Sequence, residues 1–358
     1  MEVLLRLKSL EKAEIGDILG KPVYDDKCQL LLAKDVKLSQ TYIERLMKAN
    51  IQCIYIDDEL SEGLESEMLV PDELKIRSVS AVKNVFKDLS ERKGGNYNIK
   101  SIDTIKNVVD EMMKIIYDNP STLYQMTELM GTDMYTYNHS AEVAVLSMLV
   151  AKSMKLSDTF IQKIGVGAML HDLGKMQIPG EILNKVATLE PEEERLVKEH
   201  VQFGYDMLKD NDFISPISRQ IVLLHHEKLN GSGYPYRLSG EQIPIHVRIV
   251  TMCDIFNAIS SNRAYKSRLN ADEALEIIRT EAVYELDRDI YYHLLKVVNI
   301  YPVGTIVQLS NGEFGIVIKE NHEAQTRPVV QIIRDKKRAE TVDLMDYLTV
   351  FISKTIEL

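Results

Sequence analysis

The strongest constraint on the fold is a helical hydrophobic pattern that runs from about Leu74 to about Val298. Apolar residues in this stretch recur at steps of three and four, the spacing that places side chains on one face of an amphipathic helix. One such series is Ile102, Ile105, Val109, Met112 and Ile116. The pattern predicts that the middle of the chain folds as one large helical domain.

The segment before this stretch changes character every few residues. Ser39 is placed to cap a helix that would end near Asn50, and the short apolar run Cys53–Ile56 predicts a buried strand. Residues 61–75 carry five acidic residues together with Gly63 and Pro71, and this composition predicts an acidic linker. We therefore expect a small N-terminal module, either α/β or rich in strands.

The pattern changes again after Tyr301. Thr305–Leu309 and Phe314–Ile318 have strand composition and are separated by Ser-Asn-Gly-Glu, which predicts a β-hairpin. Further strands are predicted at Val329–Ile333 and Tyr347–Ile352. The fold class is therefore predicted to be mainly α, divided into an N-terminal module (1–60), a linker (61–75), a helical domain (76–300) and a C-terminal β extension (301–358).

Composition limits the classes of function. Hydrophobic residues make up 45% of the 358 residues, enough for a packed core. The net charge of −11 argues against duplex nucleic acid as a partner, since that needs a broad basic surface. No apolar run approaches the ~20 residues of a membrane helix. Cys28, Cys53 and Cys253 are too scattered for a disulfide framework, so we expect a soluble protein of a reducing cytoplasm.

Histidine and aspartate residues stand out inside the helical domain. His171-Asp172 ends one apolar run, and His225-His226 follows another. Burying neighbouring imidazoles costs free energy unless their nitrogens are satisfied, and a metal ion satisfies them well. Taken singly, each pair also has a structural interpretation: a capped helix end for the first and a solvent-exposed helix end for the second.

Three further residues fit the same chemistry. Asp254 lies in a mostly apolar stretch, His139 shares a predicted helix face with apolar residues, and His200 ends a charged helix. A hydrogen-bonded core histidine is the alternative for His139. Considered together, these histidines and acids predict a carboxylate-bridged dinuclear metal centre, because one carboxylate can bind two ions through its two oxygens.

Two strings carry a family resemblance. The string HDLGK, which begins at His171, and the string HHEKLNGSGYP, which begins at His225, closely resemble the HD-GYP subgroup of HD-domain metal phosphohydrolases. The match continues through RAYK at residues 263–266 and, upstream, through DMYTYNHS at residues 133–140. It covers roughly residues 120–300.

This resemblance implies an all-helical HD-type domain with two or three bound metal ions, usually iron or manganese. It also implies hydrolysis of the bacterial second messenger cyclic di-GMP to pGpG, often continuing to GMP; some relatives prefer cyclic GMP–AMP. The positions that would bind metal are His139, His171, Asp172, His200, His225, His226 and Asp254. The positions that would contact substrate are Lys175, Tyr234, Arg263 and Lys266.

The implied chemistry agrees with the residue types. A water molecule that bridges two metal ions supplies hydroxide at neutral pH, and Asp172 would hold the two ions together. Lys175 would meet the negative charge that develops on the phosphate. We therefore expect Asp172 and Lys175 to be catalytic.

The sequence departs from the family pattern at a few positions. Ala264 replaces a proline, and Asn257 stands where aspartate is common. Some relatives bind a third ion through a glutamate four residues before the histidine that corresponds to His139. In this sequence that position is Tyr135. Because a neutral phenol is a poor ligand for another cation, we expect two transition-metal ions, iron first and manganese as the alternative.

Three alternatives to a cyclic di-GMP phosphodiesterase stay open at the level of sequence. One is a generic HD nucleotide phosphohydrolase, which would leave the GYP string unexplained. Another is a receptor that binds cyclic di-GMP without cleaving it, and the third is a phosphodiesterase that prefers cyclic GMP–AMP. For partners we expect cyclic di-GMP as substrate, no duplex nucleic acid and no membrane span, and a homodimer is left open.

Overall fold

A computed structural model of the chain agrees with the predicted fold class, which is mainly α. The structure describes residues 6–24, 29–49, 51, 53–58, 64, 69–90, 100–119, 123–124, 135–183, 185, 187–260, 271–335 and 337–356. A helical domain fills the middle of the chain, with a small module of short strands before it and a β-sheet after it. None of the helices in these residues has the length and apolarity that a membrane span requires.

The helices of the described residues extend over the following ranges: α1 (Gln40–Lys48), α2 (Asp72–Ser90), α3 (Lys100–Asp118), α4 (Tyr135–Ser153), α5 (Asp158–Leu170), α6 (Gly180–Leu183), α7 (Pro191–Lys198), α8 (His200–Leu208), α9 (Pro216–Leu224), α10 (Ile245–Ser260), α11 (Ala271–Glu281) and α12 (Arg288–Val297). The strands are β1 (Arg6–Ser9), β2 (Ile18–Leu19), β3 (Val23–Tyr24), β4 (Leu30–Leu32), β5 (Cys53–Asp57), β6 (Ile306–Leu309), β7 (Phe314–Lys319), β8 (Val329–Arg334), β9 (Lys337–Asp343) and β10 (Ile352–Thr355).

Helix α4 lies at the centre of the helical domain. It packs against α2, α5, α10 and α12, and α5 packs in turn against α9. Val143, Leu146 and Val150 of α4 are fully buried, which agrees with the helix face predicted to carry His139. Burial of such a face is what stabilises a helix of this length in water. The same packing brings α4, α5, α9 and α10 together around one point.

The N-terminal module has a core of its own. Strand β5 lies between β1 and β2 in an antiparallel sheet, and the cluster that includes Leu19, Leu46 and Ile54 is separate from the helical core. Ser39 caps α1 as predicted, because its Oγ accepts a hydrogen bond from the backbone N–H of Tyr42.

The C-terminal sheet has the antiparallel order β10-β6-β7-β8-β9. Val307, Val317 and Val330 belong to the same buried cluster as the helical core, so one face of this sheet packs on the helical domain. The predicted hairpin is confirmed: the N–H of Leu309 donates to the carbonyl of Glu313, and Gly312 has φ +89°.

The sheet differs from the prediction in one missed strand and one wrong strand, each for a physical reason. Strand β9 was not predicted, because Lys337–Asp343 is mostly polar and lies at the edge of the sheet. The strand predicted at Tyr347–Ile352 is wrong, since only Ile352 is in β10. The guanidinium of Arg327 holds this segment as a loop by donating to backbone carbonyls, those of Leu344, Tyr347, Leu348 and Val350.

Candidate metal centre

The residues predicted to bind metal converge at the point where the central helices meet. His139 comes from α4 and Asp254 from α10. The others lie at helix ends: His171 and Asp172 follow α5, His200 begins α8, and His225 and His226 follow α9. The residues of this group are buried, except for His226, which is half-buried. The structure therefore brings together all the positions that the sequence singled out as metal ligands.

The centre has two halves. The carboxylate half is His139, His171 and Asp254, and the imidazole half is His200, His225 and His226; within each half the potential ligand atoms lie within 4.8 Å of one another. In the carboxylate half, Oδ1 of Asp254 lies 2.9 Å from Nε2 of His139 and 3.8 Å from Nε2 of His171.

Asp172 lies between the two halves and turns one oxygen toward each. Its Oδ2 lies 3.4 Å from Nε2 of His171 and 4.0 Å from Nε2 of His139. Its Oδ1 lies 3.6 Å from Nε2 of His200 and 4.0 Å from Nε2 of His225. A carboxylate in this position can bridge two ions, because each oxygen faces a separate set of nitrogens.

Helix ends fix the tautomers of three of these histidines. Nδ1 of His171 donates to the carbonyl of Ala168 at 2.7 Å, and Nδ1 of His200 donates to that of Val197 at 2.7 Å. Nδ1 of His225 donates to carbonyls in the last turn of α9 at 3.1 Å. Carbonyls in the last turn of a helix have few partners within the helix, and each carbonyl oxygen has a second lone pair that can accept these bonds. Each Nε2 is then left with its lone pair directed into the centre.

The inward-facing atoms fit a divalent cation. Nε2 of His200 lies 3.4 Å from Nε2 of His225, and two lone pairs cannot hydrogen-bond to each other. Nitrogens bound to one ion at ~2.1 Å would lie ~3.0–3.4 Å apart. Nε2 of His171 and Oδ1 of Asp172 are buried and have no hydrogen-bond partner within the part of the chain that the structure describes. Bound divalent metal would satisfy all of these atoms.

Burial keeps the imidazole half neutral. It lowers the pKa of His200 to about 4 and that of His226 to about 3, and it holds the pKa of His225 well below its ordinary value. Neutral imidazole is the form that binds metal. These side chains are therefore in the binding form at neutral pH.

The carboxylate side behaves differently. Burial alone would lower the pKa of His171, but the Asp172 carboxylate outweighs it and the pKa lies above its ordinary value. Burial would raise the pKa of both aspartates, yet Lys175 and His171 hold that of Asp172 well below its usual range, and His139 lowers that of Asp254. Both aspartates are therefore ionised, and negative charge is concentrated at this side of the centre.

Lys175 lies at the edge of the centre. Its Nζ donates to Oδ2 of Asp172 at 2.6 Å, and its side chain is 30% exposed. The ammonium group is thus both attached to the Asp172 carboxylate and accessible to a ligand. Gly174 makes this geometry possible, because a Cβ there would lie 1.8 Å from the carbonyl oxygen of His200.

The loop with the GYP string folds back over the imidazole half. The ring of Tyr234 stacks on that of His226, with centroids 4.7 Å apart and planes at 23°. Burial raises the pKa of Tyr234, so its phenol stays protonated. A Cβ on Gly233 would lie 2.4 Å from the carbonyl oxygen of His226. Glycine is therefore needed where the loop crosses the histidine pair.

Some residues that shape the centre were missed by sequence reasoning. Glu227 is 1% exposed, and its two oxygens accept from the N–H groups of Tyr236 and Leu238, at 2.7 and 2.9 Å. Thr251 donates to the carbonyl of His225 at 2.8 Å. A carboxylate directly after an apolar run was a signal for Glu227, but its partners are backbone groups, which no residue pattern reveals.

Other predicted positions fall outside the described residues. Arg263 and Lys266, predicted to contact substrate, lie in the segment 261–270, which the structure does not describe. The same is true of Ala264 and of the side chain of Tyr135. Their assigned roles stay predictions.

Comparison with known proteins identifies the two larger parts of the chain. The family called HD domain matches residues 110–290, and the family called KOW domain associated with HD domain matches residues 306–358. The second match coincides with the C-terminal sheet, which the sequence had predicted only as a β extension.

Several curated proteins are similar to this chain. A cyclic di-GMP phosphodiesterase of Pseudomonas aeruginosa, PA4108, is 35% identical over 272 residues, which is 75% of this chain and 64% of that protein. A cyclic di-GMP phosphodiesterase of Thermotoga maritima is 37% identical over 44% of this chain and 45% of its own length. A 3'3'-cGAMP-specific phosphodiesterase of Vibrio cholerae is 34% identical over 47% of this chain and 36% of its own length. The chain thus spans less than two thirds of each of these relatives.

A solved structure shares the fold. Bd1817, an HDG"Y"P protein from Bdellovibrio bacteriovorus, aligns with a TM-score of 0.53 at 17% identity, over 82% of this chain and 95% of that one. The HD domain match covers more than half of the chain, and the histidines and aspartates of its HD and GYP strings meet in one buried centre. The chain therefore belongs to the HD domain family, as a member of its HD-GYP group.

Proposed function

We propose that the protein is a metal-dependent phosphodiesterase that hydrolyses cyclic di-GMP to pGpG. The observation that carries the proposal is the position of Asp172, whose two oxygens face two separate groups of histidine nitrogens. Such a carboxylate suits a dinuclear hydrolytic centre. The relatives from P. aeruginosa and T. maritima, which are named cyclic di-GMP phosphodiesterases, support the substrate.

The cofactors of this proposal are two transition-metal ions, with iron expected and manganese as the alternative. His139, His171, Asp172 and Asp254 would hold one ion, and Asp172, His200, His225 and His226 would hold the other. When bound, the ions would supply an acidified water molecule and positive charge for the reacting phosphate. Support comes from the neutral imidazoles, the ionised aspartates and the unsatisfied atoms that face the centre.

The protein's own side chains would orient the phosphate and balance its charge. Attack of water on phosphorus breaks one P–O3′ bond and leaves a 5′-phosphate and a 3′-hydroxyl, which is the linear product. Lys175 would stabilise charge on a non-bridging oxygen, since its ammonium is already held at the bridging carboxylate. Tyr234 would line the substrate side of the imidazole half. Arg263 and Lys266 are proposed phosphate contacts on the family resemblance alone.

Cyclic GMP–AMP is the second candidate substrate. A 3'3'-cGAMP-specific relative is 34% identical to this chain, against 35% and 37% for the two cyclic di-GMP phosphodiesterases. Identities this close do not separate the two substrates. A receptor that binds without hydrolysis is less well supported, because every residue matched as a metal ligand is present.

The remaining expectations from the sequence are also proposals. A bacterial second messenger as substrate supports a cytoplasmic location, and a homodimer is an open proposal for the assembly. We retain the division into an N-terminal module (1–60), a linker (61–75), a catalytic domain (76–300) and a C-terminal extension (301–358), although α2 begins at Asp72.

The test is turnover by the full chain, purified and reconstituted with Fe²⁺ or Mn²⁺ under anaerobic conditions. Cyclic di-GMP and 3'3'-cGAMP are supplied separately at equal concentration, and products are separated by chromatography. We expect pGpG from cyclic di-GMP, and faster turnover than with 3'3'-cGAMP. Binding of cyclic di-GMP without any product, at full metal content, would contradict the proposal in favour of a receptor.

A further inference from the structure

His139 differs from the other histidines of the centre whose tautomers the structure fixes. In His171, His200 and His225, Nδ1 donates to a backbone carbonyl at a helix end. His139 lies within α4, and its Nδ1 is 2.6 Å from Oδ1 of Asn257. The orientation of His139 therefore depends on a side chain, and a substitution can remove that contact.

Glu142 sets the orientation of the Asn257 amide. Nδ2 of Asn257 donates to Oε2 of Glu142 at 2.8 Å. An ionised carboxylate only accepts hydrogen bonds, so a reversed amide would place two acceptors against each other. With Nδ2 toward Glu142, Oδ1 faces His139 and accepts from its Nδ1–H. Asn257 is fully buried and Glu142 is half-buried, so water has no access to the asparagine side of either bond.

We infer that Glu142 and Asn257 form a positioning relay that fixes the tautomer of His139 and so prepares the carboxylate half to bind metal. With Nδ1 engaged, Nε2 is the atom that faces Oδ1 of Asp254, 2.9 Å away. A proton on Nε2 makes this contact a hydrogen bond, and a metal ion would take the place of that proton between the two atoms. The relay thus directs Nε2 into the carboxylate half, without placing either Glu142 or Asn257 in contact with the ion.

The relay also explains why asparagine is acceptable at position 257, where the family commonly has aspartate. A carboxylate there would lie against the carboxylate of half-buried Glu142, and like charges at such a distance repel. In this chain the negative charge is carried by Glu142 and the neutral amide passes the hydrogen bond to His139. This inference rests on the metal centre of the proposed function and is independent of the substrate.

The first test is removal of the acceptor in the full chain. Asn257→Leu keeps the approximate shape of the side chain and removes both hydrogen bonds. We expect the affinity of the metal-free protein for Mn²⁺ to fall ~10–100-fold, the usual effect of losing a partner of a metal ligand. Asn299→Leu is the matched control: Asn299 is 6% exposed and its amide also donates to a glutamate, Glu320. It should lower the melting temperature and leave Mn²⁺ affinity unchanged.

The second test exchanges the charges of the relay. Asn257→Asp alone should lower Mn²⁺ affinity at least ~10-fold. In the double variant Glu142→Gln/Asn257→Asp, the new amide can donate to the new carboxylate, which can accept from His139, so affinity should return to within ~3-fold of the wild-type value. Glu142→Gln alone keeps an acceptor for Asn257 but also adds a donor, so it weakens the bias on the amide and should lower affinity by a smaller factor, ~3-fold.

Rescue by the double variant distinguishes a positioning role of residue 257 from a packing role. If residue 257 only packed, the charge of residue 142 would not change the effect of Asn257→Asp. If Asn257→Asp loses the same affinity whether or not Glu142 is also replaced by glutamine, the inference is wrong. It is equally wrong if a folded Asn257→Leu binds Mn²⁺ as the wild type does. If Asn257→Leu does not fold, the Mn²⁺ affinities of Asn257→Asp and of the double variant test the inference instead. The measurements use no cyclic dinucleotide, so the inference can hold or fail whatever the outcome of the turnover assay.

Discussion

The two halves of the metal centre use different chemistry within one small volume. The imidazole half has three neutral histidines whose pKa values burial depresses. The carboxylate half has ionised Asp254 beside His139 and His171. Asp172 lies between the two and presents one oxygen to each. The difference teaches that the two proposed ions are not equivalent, and that Asp172 is the group on which both depend.

The halves are also supported differently. Backbone carbonyls at helix ends orient His200 and His225, so that part of the imidazole half follows from the helix boundaries. In the carboxylate half, His139 depends on Asn257 and Glu142. We therefore expect the carboxylate half to be the more sensitive of the two to substitutions outside the ligands.

The largest effect is expected from Asp172→Ala. The change removes the proposed bridge and leaves two cations to repel each other, so both metal ions and all turnover should be lost. Elemental analysis of the reconstituted protein measures the metal. Asp272→Ala is the control, because Asp272 is a half-buried carboxyl outside the centre that accepts a hydrogen bond from Tyr301. Full metal content in the Asp172 variant would contradict the assignment of the bridge.

Each half should lose its metal ion when one of the proposed ligands in that half is replaced. Asp254→Asn should weaken binding of the carboxylate-half ion by ~100-fold or more, because breaking a buried charge pair costs roughly 3–5 kcal/mol. His200→Ala should remove the ion of the imidazole half instead. Each variant should retain about one ion per chain.

Spectroscopy of the remaining paramagnetic ion distinguishes the two variants. In Asp254→Asn that ion should have mainly nitrogen ligands, and in His200→Ala it should have both nitrogen and oxygen ligands. His246→Ala is the control, as His246 is buried and bonded to Gln220 rather than to the centre. If both single variants lost both ions, the two halves would be one site rather than two.

A smaller effect is expected from Lys175→Met, which keeps the apolar stem and removes the ammonium. Metal content should be unchanged, and kcat should fall ~100–1000-fold, the usual cost of losing one group that stabilises developing negative charge. Lys185→Met is a matched control, since the Lys185 ammonium is also 2.6 Å from a carboxylate and its side chain is also 30% exposed. Loss of metal from the Lys175 variant would show that this lysine supports the centre instead.

The smallest effects are expected from Arg263→Ala and Lys266→Ala, which are predicted to contact substrate and are not among the predicted metal ligands. Each should remove one charge-assisted contact to a substrate phosphate, worth roughly 1.5–3 kcal/mol. The KM for cyclic di-GMP should therefore rise ~10–100-fold at unchanged metal content. A variant that lost metal, or whose KM stayed at the wild-type value, would exclude that residue as a phosphate contact.

Much of the centre was predictable because its ligands lie in short strings next to apolar runs. His171-Asp172 and His225-His226 could be found from the cost of burying such groups, and the HD and GYP strings then placed Tyr234 and Lys175. Helical periodicity likewise predicted the central domain, and the turn sequence after Leu309 predicted the hairpin.

What could not be predicted depends on contacts between distant segments. Glu227 binds backbone N–H groups of the loop that follows it, and Glu142 acts through Asn257, more than a hundred residues away. Strand β9 has no apolar alternation because it forms an edge, and Arg327 converts the segment around Tyr347 from strand to loop. In each case the deciding partner is remote in sequence, and no local pattern reports it.

We propose above all that Asp172 would bridge two ions, one in each half of the centre. The most direct measurement is anomalous scattering from crystals of the full chain loaded with Mn²⁺ or Fe²⁺, with elemental analysis of the same preparation. We expect two well-occupied peaks, one against His139, His171 and Asp254 and the other against His200, His225 and His226, with Asp172 contacting both. A single peak, or three well-occupied peaks within ~4 Å of one another, would contradict the account.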